Sequence, residues 1–322
     1  MSDKTGTKGK LGDVLRKGSP ILIFLVLFIV LSILSPNFLT WSTIMNILRQ
    51  SAVLGILAVG QALVIMSGGI DLSVGAMMAF GGCVMAVANT QWGLPPVVCI
   101  LLGILLAVLI GLLNGILTAK VGLFDFIATL GTQTAASGLA LLTTGGLPIS
   151  GMDESMTRLG GRAMSIGIPY SAFIFLLVLV VGWVLLEKTT FGRNVLAIGG
   201  NKEAARVSGI RVDRTKIMAN VLSGVFAGIA GFVLIGRLNS GNALMGTNYE
   251  LNSIAAVVIG GTSINGGEGS MIGTLIGVLT MGTLQCGMDL LGASSAWQKI
   301  ILGVVIVGVV TMDNFRRKKV AQ

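Results

Sequence analysis

From Ile21 to Leu34 the chain reads ILIFLVLFIVLSIL, fourteen residues with one hydroxyl and no charge. Runs of this kind recur at roughly 19–35, 52–66, 75–90, 97–119, 124–143, 169–186, 216–236, 251–263, 270–286 and 296–312. Water is absent from a bilayer core, so a crossing segment must satisfy its own backbone groups, which a helix does; about 20 apolar residues cover the ~30 Å of hydrocarbon. Composition closes off the soluble alternative. The 322 residues are 53% hydrophobic and 11% charged, whereas soluble domains carry about 25% charged residues. The 47 glycines suit close helix packing in lipid. The expectation is an all-α membrane protein of about ten transmembrane helices, forming one membrane domain over 1–322. The first run follows a basic segment, as a signal peptide does, but "ILSPNFLTW" after it offers no small-residue cleavage site, so it reads as an uncleaved anchor.

Charge sets the orientation. Lys and Arg number 22 against 13 Asp and Glu, and seventeen of the basic residues gather in four places: the N-terminal segment, Lys120, the 187–216 stretch and "RRKK" at 316–319. The other five are Arg49, Arg158, Arg162, Arg237 and Lys299. Basic residues stay on the cytoplasmic side. The N-terminal segment 1–18, the loop 187–215 and the tail 313–322 are therefore expected inside, with both termini cytoplasmic. The net charge of +9 is then an orientation signal and an attraction to membrane lipid, not a nucleic-acid surface. No histidine is present, and Cys83, Cys99 and Cys286 are too scattered for a disulfide framework or a zinc site. No metal is expected.

The sequence partly repeats itself. "DLSVGAMMAFGG" (Asp71 to Gly82) resembles "ELNSIAAVVIGG" (Glu250 to Gly261), and "GLLNGILT" (Gly111 to Thr118) resembles "GTLIGVLT" (Gly273 to Thr280). Each pair lies five runs apart. An odd offset reverses orientation, so the ten helices are expected as two inverted five-span repeats, a transporter arrangement whose pathway runs between the halves.

Between two apolar runs stands "NKEAARVSGI", Asn201 to Ile210. Asn201 suits the N-cap and Glu203 the positive first turn. Arg206 falls late, and Gly209 suits the left-handed position after the last turn. This spacing predicts a helix of about seven residues, roughly 10 Å long. Isolated helices this short do not persist in water, so it must dock against something, and the small Ala204 and Ala205 permit close approach.

Asp71 and Glu250 hold matching repeat positions. Acids at membrane depth invite a functional reading, although both also read as helix starts with an acid in the first turn. Asp125 reads as a boundary charge. Gln61, Asn114, Thr129, Thr132, Gln133, Asn220 and Ser223 lie inside runs, where hydrogen bonding between helices is the commoner use. Gly81-Gly82 and Gly260-Gly261 end the matched segments. Paired small residues let helices approach and pivot, so the segment from Asn252 to Gly261 is a candidate lining or gate of the passage. The pathway candidates are Asp71, Ser73, Glu250, Asn252, Gly260 and Gly261.

Three longer stretches carry a resemblance. "EAARVSG" (Glu203 to Gly209) resembles the EAA-x-x-x-G motif in permease subunits of ATP-binding-cassette importers. With "FGRNVLAIGGNKEAARVSGI", "SGGIDLSVG" (Ser67 to Gly75) and "YELNSIAAVVIGGTSINGGEG" (Tyr249 to Gly269), the chain resembles the ribose/galactoside-type sugar permeases over nearly its whole length. The resemblance implies a bacterial cytoplasmic-membrane permease forming the pathway for a monosaccharide such as ribose. It implies that Asn201, Glu203, Ala204, Ala205, Arg206 and Gly209 couple to a separate cytoplasmic ATPase. It also implies a second permease copy, identical or a close paralogue, and an extracytoplasmic sugar-binding protein. No G-x-x-x-x-G-K-[ST] phosphate loop occurs in the sequence, so ATP and Mg²⁺ are expected on the partner ATPase and no cofactor on this chain. The competing reading is an ion-coupled secondary transporter, which also uses inverted repeats but carries mid-span acids, whereas most acids here stand at run ends. A membrane enzyme is disfavoured by the missing histidine, metal cluster and G-x-S-x-G turn.

Overall fold

The computed structural model describes residues 5–161, 163–164 and 167–320; described side chains run from Pro20 to Gly308, with Thr311. The side chains of Lys4, Lys8, Lys10, Arg16, Lys17, Arg162 and the 316–319 cluster, invoked above for orientation, lie outside them. Among the described residues there are thirteen α-helices and no strand. They are α1 (Thr5–Leu34), α2 (Trp41–Met66), α3 (Val74–Thr90), α4 (Pro96–Ile116), α5 (Asp125–Thr144), α6 (Glu154–Gly161), α7 (Tyr170–Lys188), α8 (Thr190–Gly200), α9 (Lys202–Val207), α10 (Val212–Leu238), α11 (Tyr249–Ile259), α12 (Met271–Leu290) and α13 (Ser295–Val320). A π-helical turn, Leu117–Val121, extends α4 and stops at Gly122, whose φ of 81° is left-handed.

Local chemistry sets several helix starts. The Thr40 hydroxyl accepts from the Thr43 amide (3.4 Å) before α2, and Ser270 does the same for Gly273 (3.0 Å) before α12. Pro96 opens α4 where no amide donor is needed.

The layering follows from which helices are apolar all round. α2 and α3 are buried along most of their length and α10 along one broad side, and together they form the centre. α4 and α7 lie outside and turn apolar stripes outward: Leu101, Leu105 and Leu109 on α4, and Phe173, Leu177 and Val181 on α7. Unbroken apolar faces of this size are not left to water; hydrocarbon accommodates them. Helices meet through small residues, since lipid gives no hydrophobic drive to pack apolar side chains together. A Cβ added at Gly224 of α10 would lie 2.6 Å from the Ala107 carbonyl of α4, and Phe175 of α7 lies over Gly55 of α2. Cys83, Cys99 and Cys286 are all buried and unpaired.

By length and composition six of the described helices suffice to cross a membrane: α2, α4 with its π turn, α5, α7, α10 and α12. Four shorter apolar segments, Pro20–Leu34, Val74–Thr90, Tyr249–Ile259 and Ser295–Gly308, accompany them. Each run of the sequence thus falls on a helix, with shifted limits. α2 starts eleven residues before the apolar run does and takes Arg49 and Gln50 into the helix. α11, eleven residues long, reaches only about 16 Å at ~1.5 Å per residue. The 187–215 loop holds two helices, α8 and α9, rather than the single one expected, and α6 forms between α5 and α7.

Candidate functional site

α9 is short and tightly delimited. The Asn201 side-chain oxygen accepts from the Ala204 amide at 2.9 Å. At the other end Gly209 takes φ 83°, and Ile210 N donates to Ala205 O (3.1 Å), which closes the last carbonyls. Glu203 and Arg206 pair at 3.2 Å on the exposed side. The two alanines part company. Ala205 turns inward and anchors the helix against Ile198 of α8 and Val212 of α10, whereas Ala204 stays exposed. Val207, not singled out from the sequence, is 88% exposed. An apolar tip on a charged loop carries no periodicity to mark it.

Behind α9 three distant segments meet backbone to backbone. α8 ends at Gly199-Gly200. Gly199 faces the Met66 carbonyl at the end of α2 and the Gly267 amide of the 260–270 loop. Gly267 N donates to Met66 O at 3.0 Å. A Cβ at Gly266 would lie 2.7 Å from Gly68 N and 2.9 Å from the Gly199 Cα. Gly266 and Gly267 also hold φ of 87° and 78°, so glycine is required there twice over. One residue, Asn201, separates this junction from the first residue of α9.

A second polar site lies inside the bundle. Asp71, in the turn between α2 and α3, is fully buried. It precedes α3 rather than sitting in its first turn. Its carboxylate accepts from Ser73 N (2.9 Å), Ser73 Oγ (2.6 Å) and Ser223 Oγ of α10 (3.1 Å). Asn114 of α4 donates to Ser73 Oγ (2.8 Å), and Thr132 of α5 donates to Asn114 Oδ1 (2.7 Å). Every donor in the chain runs toward Asp71, so the carboxylate is held without a buried cation. Nearby, Lys216 Nζ of α10 lies 3.4 Å from both Asp125 oxygens, making Asp125 an ion-pair partner. Thr129 donates to Ile70 O at 3.4 Å. Among the described residues Asn220 bonds only within α10, to Lys216 O (2.9 Å), and Gln61, fully buried, finds no partner for either amide atom.

Glu250 sits in the first turn of α11, and Gln133 of α5 approaches its carboxylate at 3.5 Å. It borders a cavity of about 210 Å³ that Gln133 and Ser137 also line. The starts of α3 and α11 touch there, Gly75 against the Gly246 carbonyl and the Glu250 carboxylate. Asn252 faces a different cavity, with Gln50 and Gln285. Gly260 is pressed against the Gly273 backbone of α12, while Gly261 has φ 89° and meets only Pro20, at 3.5 Å. The matched acids are therefore brought to the same pair of helix starts, the glycine pair is split between helix packing and a turn, and Asn252 lies apart from both. Among the described residues no three His, Cys, Asp or Glu side chains gather where they could hold a metal.

An all-helical bundle with outward apolar stripes, a short capped helix on one end and a hydrogen-bonded acid in its core defines a polytopic membrane protein. The family model described as branched-chain amino acid transport system / permease component matches residues 43–310, and the chain belongs to that permease family. It is 47% identical to the ribose import permease protein RbsC of Bacillus subtilis (strain 168), over 96% of this chain and 95% of that one. It is 40% identical to the RbsC of Escherichia coli (strain K12), over 93% and 94%. With the galactose/methyl galactoside import permease protein MglC of Escherichia coli (strain K12) it shares 36% identity, over 95% and 96%.

Proposed function

We propose that this chain is the membrane-spanning permease subunit of an ATP-driven importer and carries a monosaccharide, ribose or a closely related sugar. The observation that carries the reading is the agreement between relatives named as ribose and galactoside import permeases and a capped helix, α9, with an unpartnered apolar tip. A chain without a phosphate loop needs another chain to hydrolyse ATP, and α9 is the surface through which that chain would act.

On this reading the six long and four shorter apolar helices make ten crossings in two inverted halves, with both termini and α8–α9 in the cytoplasm. A cytoplasmic ATPase holds ATP and Mg²⁺ and engages Asn201, Glu203, Ala204, Ala205, Arg206 and Gly209. A second permease copy, identical or paralogous, completes the pathway, and a sugar-binding protein docks outside on the 144–169 loop. The halves pivot at Gly260-Gly261, with Asp71, Ser73, Glu250 and Asn252 along the pathway side.

Uptake into proteoliposomes holding the permease and its ATPase, supplied with the sugar-binding protein, tests the reading. Sugar accumulation should require ATP and withstand a protonophore; uptake driven by an ion gradient without ATP would instead favour a secondary transporter. Gly209→Pro and Glu203→Lys should insert normally and lose sugar-stimulated ATP hydrolysis. Single cysteines at Ser208 and Gly151 should react from opposite sides of the membrane.

A further inference from the structure

At the end of the bundle remote from α9, five helices leave a polar hollow of about 250 Å³. Gln50 of α2, Arg237 of α10, Asn252 of α11, Gln285 and Asp289 of α12, and Gln298 of α13 face it. Gln298 donates to Asp289 at 2.9 Å and fixes the rim between α12 and α13. The other four make no side-chain hydrogen bond with any described residue. Asn252 is only 9% exposed, and Leu54 on α2 closes the wall beside Gln50. Seven residues further along α2, two turns on the same face, stands the unpartnered Gln61.

Asn252 is nearly buried, while Gln50, Arg237 and Gln285 are half-buried and turn donors and acceptors into the hollow, so these side chains are suited to a polar guest. Their chemistry narrows its class. Each amide offers one acceptor and two donors, and the guanidinium offers five donors. A sugar hydroxyl donates once and accepts twice, which matches this mixture. A cation would meet Arg237, and an anion would meet Asp289 and the amide oxygens. An apolar guest would leave Gln50, Arg237, Asn252 and Gln285 without partners. The volume equals that of roughly eight waters at ~30 Å³ each and falls below the ~300–1,000 Å³ of pockets for larger ligands. It suits one five- or six-carbon ring and not two.

We infer that this hollow is a low-affinity binding site for a neutral monosaccharide, held by Gln50, Asn252, Gln285 and Arg237 within a single copy of the chain. The inference rests on the sugar-importer reading and adds the place where the sugar is first held.

The test uses the complete permease–ATPase complex in proteoliposomes, supplied with the sugar-binding protein, with D-ribose as probe and sucrose as the oversized control. The native cysteines are buried, so a thiol introduced at the rim by Gln298→Cys, outside the four holding groups, is the one a membrane-impermeant reagent reaches. If the site binds ribose with a Kd of ~10 mM, ~100 mM ribose slows labelling about tenfold, by the factor 1 + [L]/Kd, and sucrose does not. Asn252→Ala should lower ATP-driven ribose uptake about tenfold, the scale of one lost hydrogen bond. If that variant fails to assemble with the ATPase, the labelling result decides alone. Labelling indifferent to ribose, in vesicles that take up ribose normally, overturns the binding site and leaves the importer reading standing. If the unmodified complex takes up neither D-ribose, D-galactose nor L-arabinose with ATP, the importer reading itself falls and this inference with it.

Discussion

The amide of Gly267 donates to the carbonyl of Met66 across 3.0 Å, and Gly199 packs against both groups. The end of α2, the end of α8 and the loop between α11 and α12 are thereby locked at the level of backbone, one residue from α9. A side chain at Gly199 has nowhere to go without parting the three segments. On the importer reading, Gly199→Val should leave a chain that inserts in the membrane but no longer passes the sugar signal to the ATPase. Sugar-stimulated ATP hydrolysis measured beside uptake checks this; wild-type coupling would show that the junction transmits nothing.

Asp71 accepts three hydrogen bonds in the core. Asp71→Ala strands the Ser73 amide and two hydroxyls, and at about 1–3 kcal/mol per orphaned group the expected loss of stability is ~3–5 kcal/mol. Asp71→Asn keeps one acceptor and gains a donor that Ser223 Oγ can accept, so it should cost about 1–2 kcal/mol. Unfolding in detergent, with Ser223→Ala as the second arm of a double-mutant cycle, separates the two. Equal losses from both variants would mean that the network does not depend on the carboxylate.

Lys216 and Asp125 join α10 to α5 at 3.4 Å, and Lys216 is almost entirely buried. Lys216→Met leaves the carboxylate alone and should destabilise by ~2–3 kcal/mol, whereas Lys216→Met with Asp125→Leu should recover much of that loss. Because the pair is shielded, its contribution should change little between low and high salt. Strong salt dependence would mark it as a surface pair of small worth.

Val207 is 88% exposed at the end of α9, with no described contact that holds the fold. Val207→Asp should leave the permease's own stability within about 0.5 kcal/mol, as surface changes do, and on the importer reading should lower recovery of the ATPase in co-purification. Undiminished recovery of the ATPase would place the contact elsewhere on the loop.

Much of this molecule was legible in the sequence, for reasons that differ by element. Each apolar run became a helix because in hydrocarbon the backbone has no other partner than itself. Asn201 and Gly209 announced α9 because caps are local chemistry. The limits of α2 were hidden, since Arg49 and Gln50 look like a boundary until α10 to α13 are seen to build a polar hollow around that end. The network at Asp71 was hidden for a related reason. Asn114, Thr132 and Ser223 are separately ordinary, and only the packing of α4, α5 and α10 brings them to one carboxylate. The glycine loop "GGTSINGGEG" was visible as irregular backbone, but its partners lie some 65 and 200 residues earlier in the chain, beyond the reach of any local pattern.

That last distance bears on protein engineering. Ser67–Gly69, Gly199-Gly200 and Gly266-Gly267 fit one another with no side chain between them, so none of the three can be retailored alone. A chimera that imports only the 260–270 loop from a relative would set foreign backbone curvature against an unaltered α8, and the misfit would surface at α9. The three segments have to be transplanted together, as one interchangeable cassette.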